Sequence, residues 1–148
     1  MRLWNNLLIA TGGTPTLDKD SKSRDVVVQG NGYWSNGQPV RILPVRILWE
    51  GKEFNSLAAF RAATVPETLD GKPVGIEADP QLSAAGDGIA VRDTSKLPSL
   101  PAYRVKSGSP LIGAEMSLVP VEPDEYDFFL RPLPAAKPGI GVSVEPVP

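Results

Sequence analysis

The sequence predicts a mainly β chain of short strands wound as a solenoid of about two to three turns, with one short helix and a loop-rich C-terminal covering segment. Three observations predict it. Residue types recur at a fixed spacing in the first half, proline and glycine punctuate the whole chain, and one stretch shows helical spacing between a start and a stop signal.

The recurrence is preserved in type more than in identity. Leu3, Asn6, Ile9 and Gly12 return twenty-five positions later as Val28, Asn31, Trp34 and Gly37, and a third apolar segment begins at Val40. A period of this size suits a coiled array in which each turn buries its apolar face on the next. Asparagine inside a strand is locally unfavourable. Asn5, Asn6 and Asn31 therefore have two readings: amides bonded in a ladder from turn to turn, or turn residues that tolerate the left-handed region, which suits Asn31-Gly32 and Asn36-Gly37 equally well.

Residues 40–48 read VRILPVRIL, a five-residue unit written twice. Side chains alternate faces along a strand, so an odd offset turns the second copy over unless Pro44 bends the chain. One copy is expected to pair normally and the other to be displaced. Arg41 and Arg46 suit an anionic sugar, yet an arginine alternating with Val and Ile is usually the solvent-facing half of a strand.

The helix is expected from about Ser56 to Ala63, with Asn55 or Ser56 as N-cap and Pro66 beyond its end. Leu57 and Phe60 share a face, which makes them a packing stripe over the strands. From Pro66 onward the chain reads as loops. Asp70-Gly71, Asp79-Pro80 and Gly86-Asp87-Gly88 mark turns, with short strands at 89–91, 103–105 and 116–119 and a final edge strand in 140–144. The expected organisation is a single domain, 1–148, with the turns in 1–50, the helix in 51–66 and the covering segment in 67–148.

Composition narrows the chemistry. With 148 residues the chain suits one core, and its sixteen prolines and fourteen glycines favour short strands over a bundle. The formal net charge is -2 and acids and bases are interleaved, so no basic field invites nucleic acid. There is no cysteine and no histidine. That removes disulfides, cysteine nucleophiles, Ser-His-Asp chemistry and most zinc, copper or haem ligation, and no cofactor is expected. The opening MRLWNNLLIATGG is broken by Asn5 and Asn6 and falls short of a signal core or of the ~20 residues of a membrane span, so it reads as a strand. No membrane partner is expected, and the redox compartment stays open.

Several segments, taken in order, resemble the C-terminal part of bacterial right-handed parallel β-helix repeat proteins of the polysaccharide-lyase kind. They are Asn31-Gly32-Tyr33-Trp34, Trp49-Glu50-Gly51, Ser56-Leu57-Ala58-Ala59-Phe60-Arg61-Ala62-Ala63-Thr64 and Ala78-Asp79-Pro80-Gln81-Leu82. Ser107-Gly108-Ser109-Pro110-Leu111-Ile112-Gly113-Ala114 and the stretch from Asp127-Phe128-Phe129 through Arg131-Pro132 to Gly139-Ile140-Gly141 continue the likeness. The doubled VRIL unit and Gly139-Ile140-Gly141-Val142 depart from the usual pattern. The resemblance implies a right-handed parallel β-helix and a chain corresponding to the last turns of a longer solenoid. It also implies a secreted or cell-surface setting, although this chain shows no export signal, and the localisation is left open.

For function, Tyr33, Trp34 and Trp49 are the candidate sugar contacts, because flat aromatic faces stack on sugars, with Arg46 or Glu50 to bond hydroxyls. The same aromatics suit a core. Residues 18–25 place acids at alternate positions but carry Lys22 and Ser23 where a calcium loop needs Asp or Asn and Gly. Glu122, Asp124, Glu125 and Asp127 read as a charged loop. The leading expectation is a non-catalytic closing segment of a carbohydrate-binding or carbohydrate-active protein, with a polysaccharide as partner. The alternatives are a small lyase or hydrolase whose site is completed by oligomerisation, and a structural protein-interaction module. Self-association is expected through the open N-terminal end, near Leu3 to Ile9.

Overall fold

Short apolar runs separated by residues in the left-handed region set the architecture of the first unit. The computed structural model describes residues 1–10, 13–35, 45–84, 93, 95–96, 102, 104–114 and 139–140, and the chain divides into two compact units, Met1–Asp79 and Pro80–Pro148.

The first unit carries β1 (Arg2–Trp4), β2 (Leu7–Ala10), β3 (Leu17–Lys19), β4 (Val27–Gln29), β5 (Gly32–Ser35), β6 (Ile47–Trp49) and β7 (Lys52–Phe54). Helix α1 (Leu57–Ala63) follows, then β8 (Thr68–Leu69), β9 (Lys72–Pro73) and β10 (Ile76–Glu77). Asn5, at φ +54°, turns the chain between β1 and β2, and Gly30, at φ +68°, does the same between β4 and β5. Asparagine and glycine are the residues that enter this region at least cost.

The strands form four sheets, ordered β1-β4, β10-β5-β2, β3-β6-β7 and β8-β9. Parallel pairing joins β1 to β4 with Leu3 opposite Val28, and β2 to β5 with Ile9 opposite Trp34. The next parallel pair, β3 with β6, sets Leu17 opposite Ile47. The offset thus lengthens from 25 residues (28 − 3) to 30 (47 − 17), by the length of one VRILP unit. The second VRIL copy supplies Ile47 and Leu48 to β6, while the first, Val40 to Leu43, lies outside the described residues.

The parallel β-helix of two to three turns is corrected by this topology. The sheets are small, with two or three strands each, and mix parallel with antiparallel pairs, and no solenoid of stacked turns is formed among the described residues. The physical reason lies in two turns. Glu50-Gly51 (φ +51° and +82°) and Asp70-Gly71 (φ +50° and +74°) are two-residue connections with both residues left-handed. Such turns match the twist of a hairpin and return the chain antiparallel, whereas a parallel partner needs a long crossover. Trp49 therefore faces Lys52 in the β6–β7 hairpin, and Leu69 faces Lys72 in β8–β9.

Helix α1 is seven residues long and capped at its start, where the Ser56 hydroxyl accepts the Ala59 N–H at 3.1 Å and a Glu77 carboxylate oxygen accepts the Leu57 N–H at 2.7 Å. The helix buries Leu57 and Phe60. They join Val28, Tyr33, Val45, Ile47 and Trp49 in one core, bordered by Leu3, Leu8, Leu17, Val26 and Phe54. Phe60 lies at its centre, 5.4 Å ring to ring from both Trp49 and Phe54 in edge-on and tilted contacts. Truncating a buried phenylalanine of this kind costs about 3–5 kcal/mol.

In the second unit Leu82 forms an antiparallel bridge with Val105, flanked by Ser83 N–H to the Arg104 carbonyl (2.8 Å) and Lys106 N–H to the Gln81 carbonyl (2.9 Å). The Ser109 hydroxyl donates to the Pro80 carbonyl (2.8 Å) and accepts the Leu111 N–H (3.2 Å). Ala102, Val105, Leu111 and Ile140 are buried. The strands expected in 89–91 and 116–119, and the acidic group Glu122, Asp124, Glu125 and Asp127, lie outside the described residues.

Candidate functional site

The register of the three-stranded sheet brings three positions to one level. Leu7 and Ile76 both pair with Gly32, so Asn6, Asn31 and Gly75, each one residue earlier, stand side by side just ahead of β2, β5 and β10. At this level the two asparagines bond directly. The Asn31 carboxamide oxygen accepts the Asn6 backbone N–H at 2.9 Å and the Asn6 side-chain amide at 3.3 Å. The Asn31 amide nitrogen in turn donates to the Leu3 carbonyl at 2.9 Å, the Gln29 carbonyl at 3.3 Å and Glu67 at 2.8 Å. The ladder reading of these asparagines describes Asn6 and Asn31, and the left-handed reading describes Asn5.

Glu67 completes the row in an unexpected way. Gly75 has no side chain, and the Glu67 carboxylate occupies the space a third asparagine would fill. A Cβ on Gly75 would stand 2.5 Å from Glu67 Oε2. Gly75 also sits at φ +76° and Glu67 at φ +57°, so both backbones are bent to bring the carboxylate in. Glu67 is wholly buried. One of its oxygens takes the Tyr33 hydroxyl at 2.8 Å together with the Asn31 side chain, and the Asn31 N–H lies within 3.3–3.4 Å of both oxygens.

The electrostatics follow from that burial. Loss of solvent pushes the Glu67 carboxyl above its ordinary range, and the donors from Asn31 and Tyr33 pull the other way. Burial, and then the neighbouring carboxylate, raise the Tyr33 phenol, which keeps its proton and acts as a donor. Arg61 leans over the same corner, its guanidinium donating to the carbonyls of Val74 and of Gly75, the latter at 2.7 Å. This is an internal seam that ties β5 to the β8–β9 hairpin. Glu67 gave no motif in the sequence, and the signal available for it was a lone carboxylate just ahead of a hairpin.

The five residues named for sugar contact fall into three settings. Tyr33 and Trp49 belong to the core, at 0% and 8% exposure. Arg46 and Glu50 lie outside it in ion pairs: Arg46 bonds Glu53 at 2.7 Å and the Gly13 carbonyl at 3.2 Å, and Lys19 bonds Glu50 while standing 5.1 Å above the Trp49 ring. Trp34 is the half-buried member, on the face of β5 opposite to Tyr33. Its outward neighbours are Gly32 on β5, Leu7 and Ile9 on β2, and Ile76 on β10, with Ile9 39% exposed. The five are therefore not gathered into one pocket.

Asp20, among the alternating acids of residues 18–25, spends its carboxylate locally. One oxygen accepts the N–H and hydroxyl of Ser23 at 2.7 and 2.8 Å and the Lys22 N–H at 3.1 Å. Among the described residues no three acidic, histidine or cysteine side chains gather as a metal-binding group. No helix of the described residues is long and apolar enough to cross a membrane.

No protein-family model matches the chain, and neither a curated protein nor a solved structure matches it. The resemblance to β-helix repeat proteins accordingly rests on the quoted segments alone.

Proposed function

We propose that this chain is a non-catalytic interaction module that pairs an extended protein strand along the open edges of β1 and β2. The observation that carries this reading is the one-sidedness of the parallel pairs. Each of β1, β2 and β3 has a hydrogen-bonded neighbour on one side only among the described strands. An unpaired edge is a template for another strand. Neither β1 nor β2 contains proline or an acidic residue, and Arg2 is laid over its own Trp4 ring, 4.9 Å from the centroid. Asn6 is exposed at this edge, and among the described residues its carboxamide oxygen takes no donor.

The test is fluorescence anisotropy with a labelled peptide of residues 26–35, VVVQGNGYWS, the segment that pairs with β1 and β2 inside the chain. Saturable binding is expected. A flat titration over all accessible concentrations removes the proposal.

A second reading keeps glycan contact. It is favoured by Trp34, which is half-buried on the face of β5 opposite to Tyr33, since an aromatic ring that water reaches can stack on the apolar face of a sugar. Screening the protein and Trp34→Ala on a glycan array checks it, and equal signals from both discard Trp34 as the contact.

A further inference from the structure

The two sides of the parallel pairs are not equivalent, and the difference selects a partner. On the β4–β6 side, β5 and β6 each have a second strand neighbour, and β4, an edge strand like β1, has part of its far edge taken. The Val28 carbonyl on β4 accepts the Glu67 N–H at 2.8 Å, and the Gln29 side chain reaches the Thr68 carbonyl at 2.7 Å. The far edge of β6 is taken by antiparallel β7, and that of β5 by β10. On the β1–β3 side all three edges are open among the described strands. A second copy arriving head to tail would find its partner's edges covered at β5 and β6 and partly taken at β4. A second copy arriving head to head meets an open edge with an open edge.

We infer that the strand received by β1 and β2 belongs to a second copy of this chain, in a closed two-fold dimer with the strands antiparallel across the axis. The inference rests on the strand-pairing reading given above. A two-fold axis joins identical patches and leaves neither copy with an open end, so assembly stops at two and does not run on as a fibre. The charges allow it. Apart from Lys19, paired with Glu50, and Asp20, bonded to Ser23, residues 1–25 carry Arg2, Lys22 and Arg24 against Asp18 and Asp25, a near-balanced set that can match itself across the axis.

Ile9 is the residue through which to test it. Gly32 N–H donates to the Asn6 carbonyl at 2.8 Å, so by the alternation along a parallel strand the N–H groups of Leu7 and Ile9 point away from β5. Proline at Ile9 removes an outward donor without removing a bond to β5, and proline is tolerated on an edge strand. The lost bond counts twice in a two-fold interface.

Sedimentation velocity of the full chain, from low micromolar to near-millimolar concentration, is expected to give a reversible monomer–dimer equilibrium with nothing larger. Ile9→Pro is expected to weaken the dimer by about tenfold or more, while Ile9→Val keeps it. Circular dichroism confirms that each variant is folded, and if Ile9→Pro is not, Leu7→Pro takes its place. Three results overturn the inference: a monomer throughout, growth beyond the dimer, or a dimer indifferent to proline at a folded edge. The labelled 26–35 peptide separates this failure from failure of the parent reading. A monomer that still binds the peptide ends the dimer alone, and a monomer that ignores it ends both.

Discussion

Trp4-Asn5-Asn6-Leu7 and Gln29-Gly30-Asn31-Gly32 are two versions of one corner, and their surroundings separate them. Each has a left-handed residue followed by an asparagine at the start of a strand. In the second, the asparagine is wholly buried, with Glu67 on one side and Asn6 on the other. In the first, the asparagine is exposed, and its carboxamide oxygen has no donor among the described residues. The same amide in equivalent positions is a structural tie in one strand and an unused acceptor in its neighbour. A side chain's role here is fixed by whether a further strand or carboxylate covers it, because a buried polar group must be paired and an exposed one is served by water.

The sharpest way to break the comparison is to empty the covered corner. Glu67→Ala leaves the Tyr33 hydroxyl, the Asn31 amide and the Asn31 N–H buried without their shared acceptor. A loss of about 3–5 kcal/mol is expected in urea unfolding, and a change below about 1 kcal/mol would mean that the seam is not what holds the hairpin to β5. Gly75→Ala attacks the same place by crowding, since its Cβ would press on Glu67 Oε2 and, at 2.8 Å, on the Asn31 carbonyl. About 2–3 kcal/mol is expected from the clash and the left-handed backbone together.

The pH dependence sharpens the comparison further. Because burial holds the Glu67 carboxyl above its ordinary value of 4.5, the native chain binds that proton more tightly than the unfolded chain. The contribution is fully present below that value and is lost as pH rises through the raised one. Asp20 and Asp93, held below their ordinary value of 3.8 chiefly by serine side-chain hydrogen bonds, act oppositely and only at lower pH. Glu67→Gln should therefore flatten the fall in Tm above pH 4.5, and parallel curves for variant and parent would show that Glu67 does not titrate in that window.

Smaller effects come from groups that water reaches. Ser56→Ala removes one of two caps of α1 and is expected to lower stability by about 1 kcal/mol. Arg46→Ala separates a pair with side chains 34% and 42% exposed, and no measurable change in Tm is expected, as solvent screens such pairs. A clear loss there would move part of the stabilisation from the covered corner to the surface.

Much of the local structure was legible because its signals are local. Asn55-Ser56 ahead of Leu57 and Phe60 marked a helix that begins at Leu57 with Ser56 as its cap. Asp70-Gly71 marked a turn, and the twenty-five-residue spacing matches the parallel register of Leu3 with Val28 and Ile9 with Trp34. The solenoid was an extrapolation from that spacing. Glu50-Gly51, read as part of a family segment, is a hairpin turn, and a two-residue return cannot start another parallel pass. The site was less legible. Tyr33 and Trp49 carried both a ligand reading and a core reading, and burial by α1 decided for the core. Glu67 was silent, since its role depends on a glycine eight residues later and an asparagine thirty-six residues earlier, at distances no local pattern spans.

The account depends on one side of the parallel pairs being covered and the other open, and amide hydrogen exchange reads both at once. At concentrations dilute enough to keep the chain monomeric, amides of β4 and β5 should exchange slowly, whereas the outward amides of β1 and β2, Leu7 and Ile9 among them, should exchange fast. Equal and strong protection of both groups in the monomer would contradict it, because the β1–β2 edge would then already be covered.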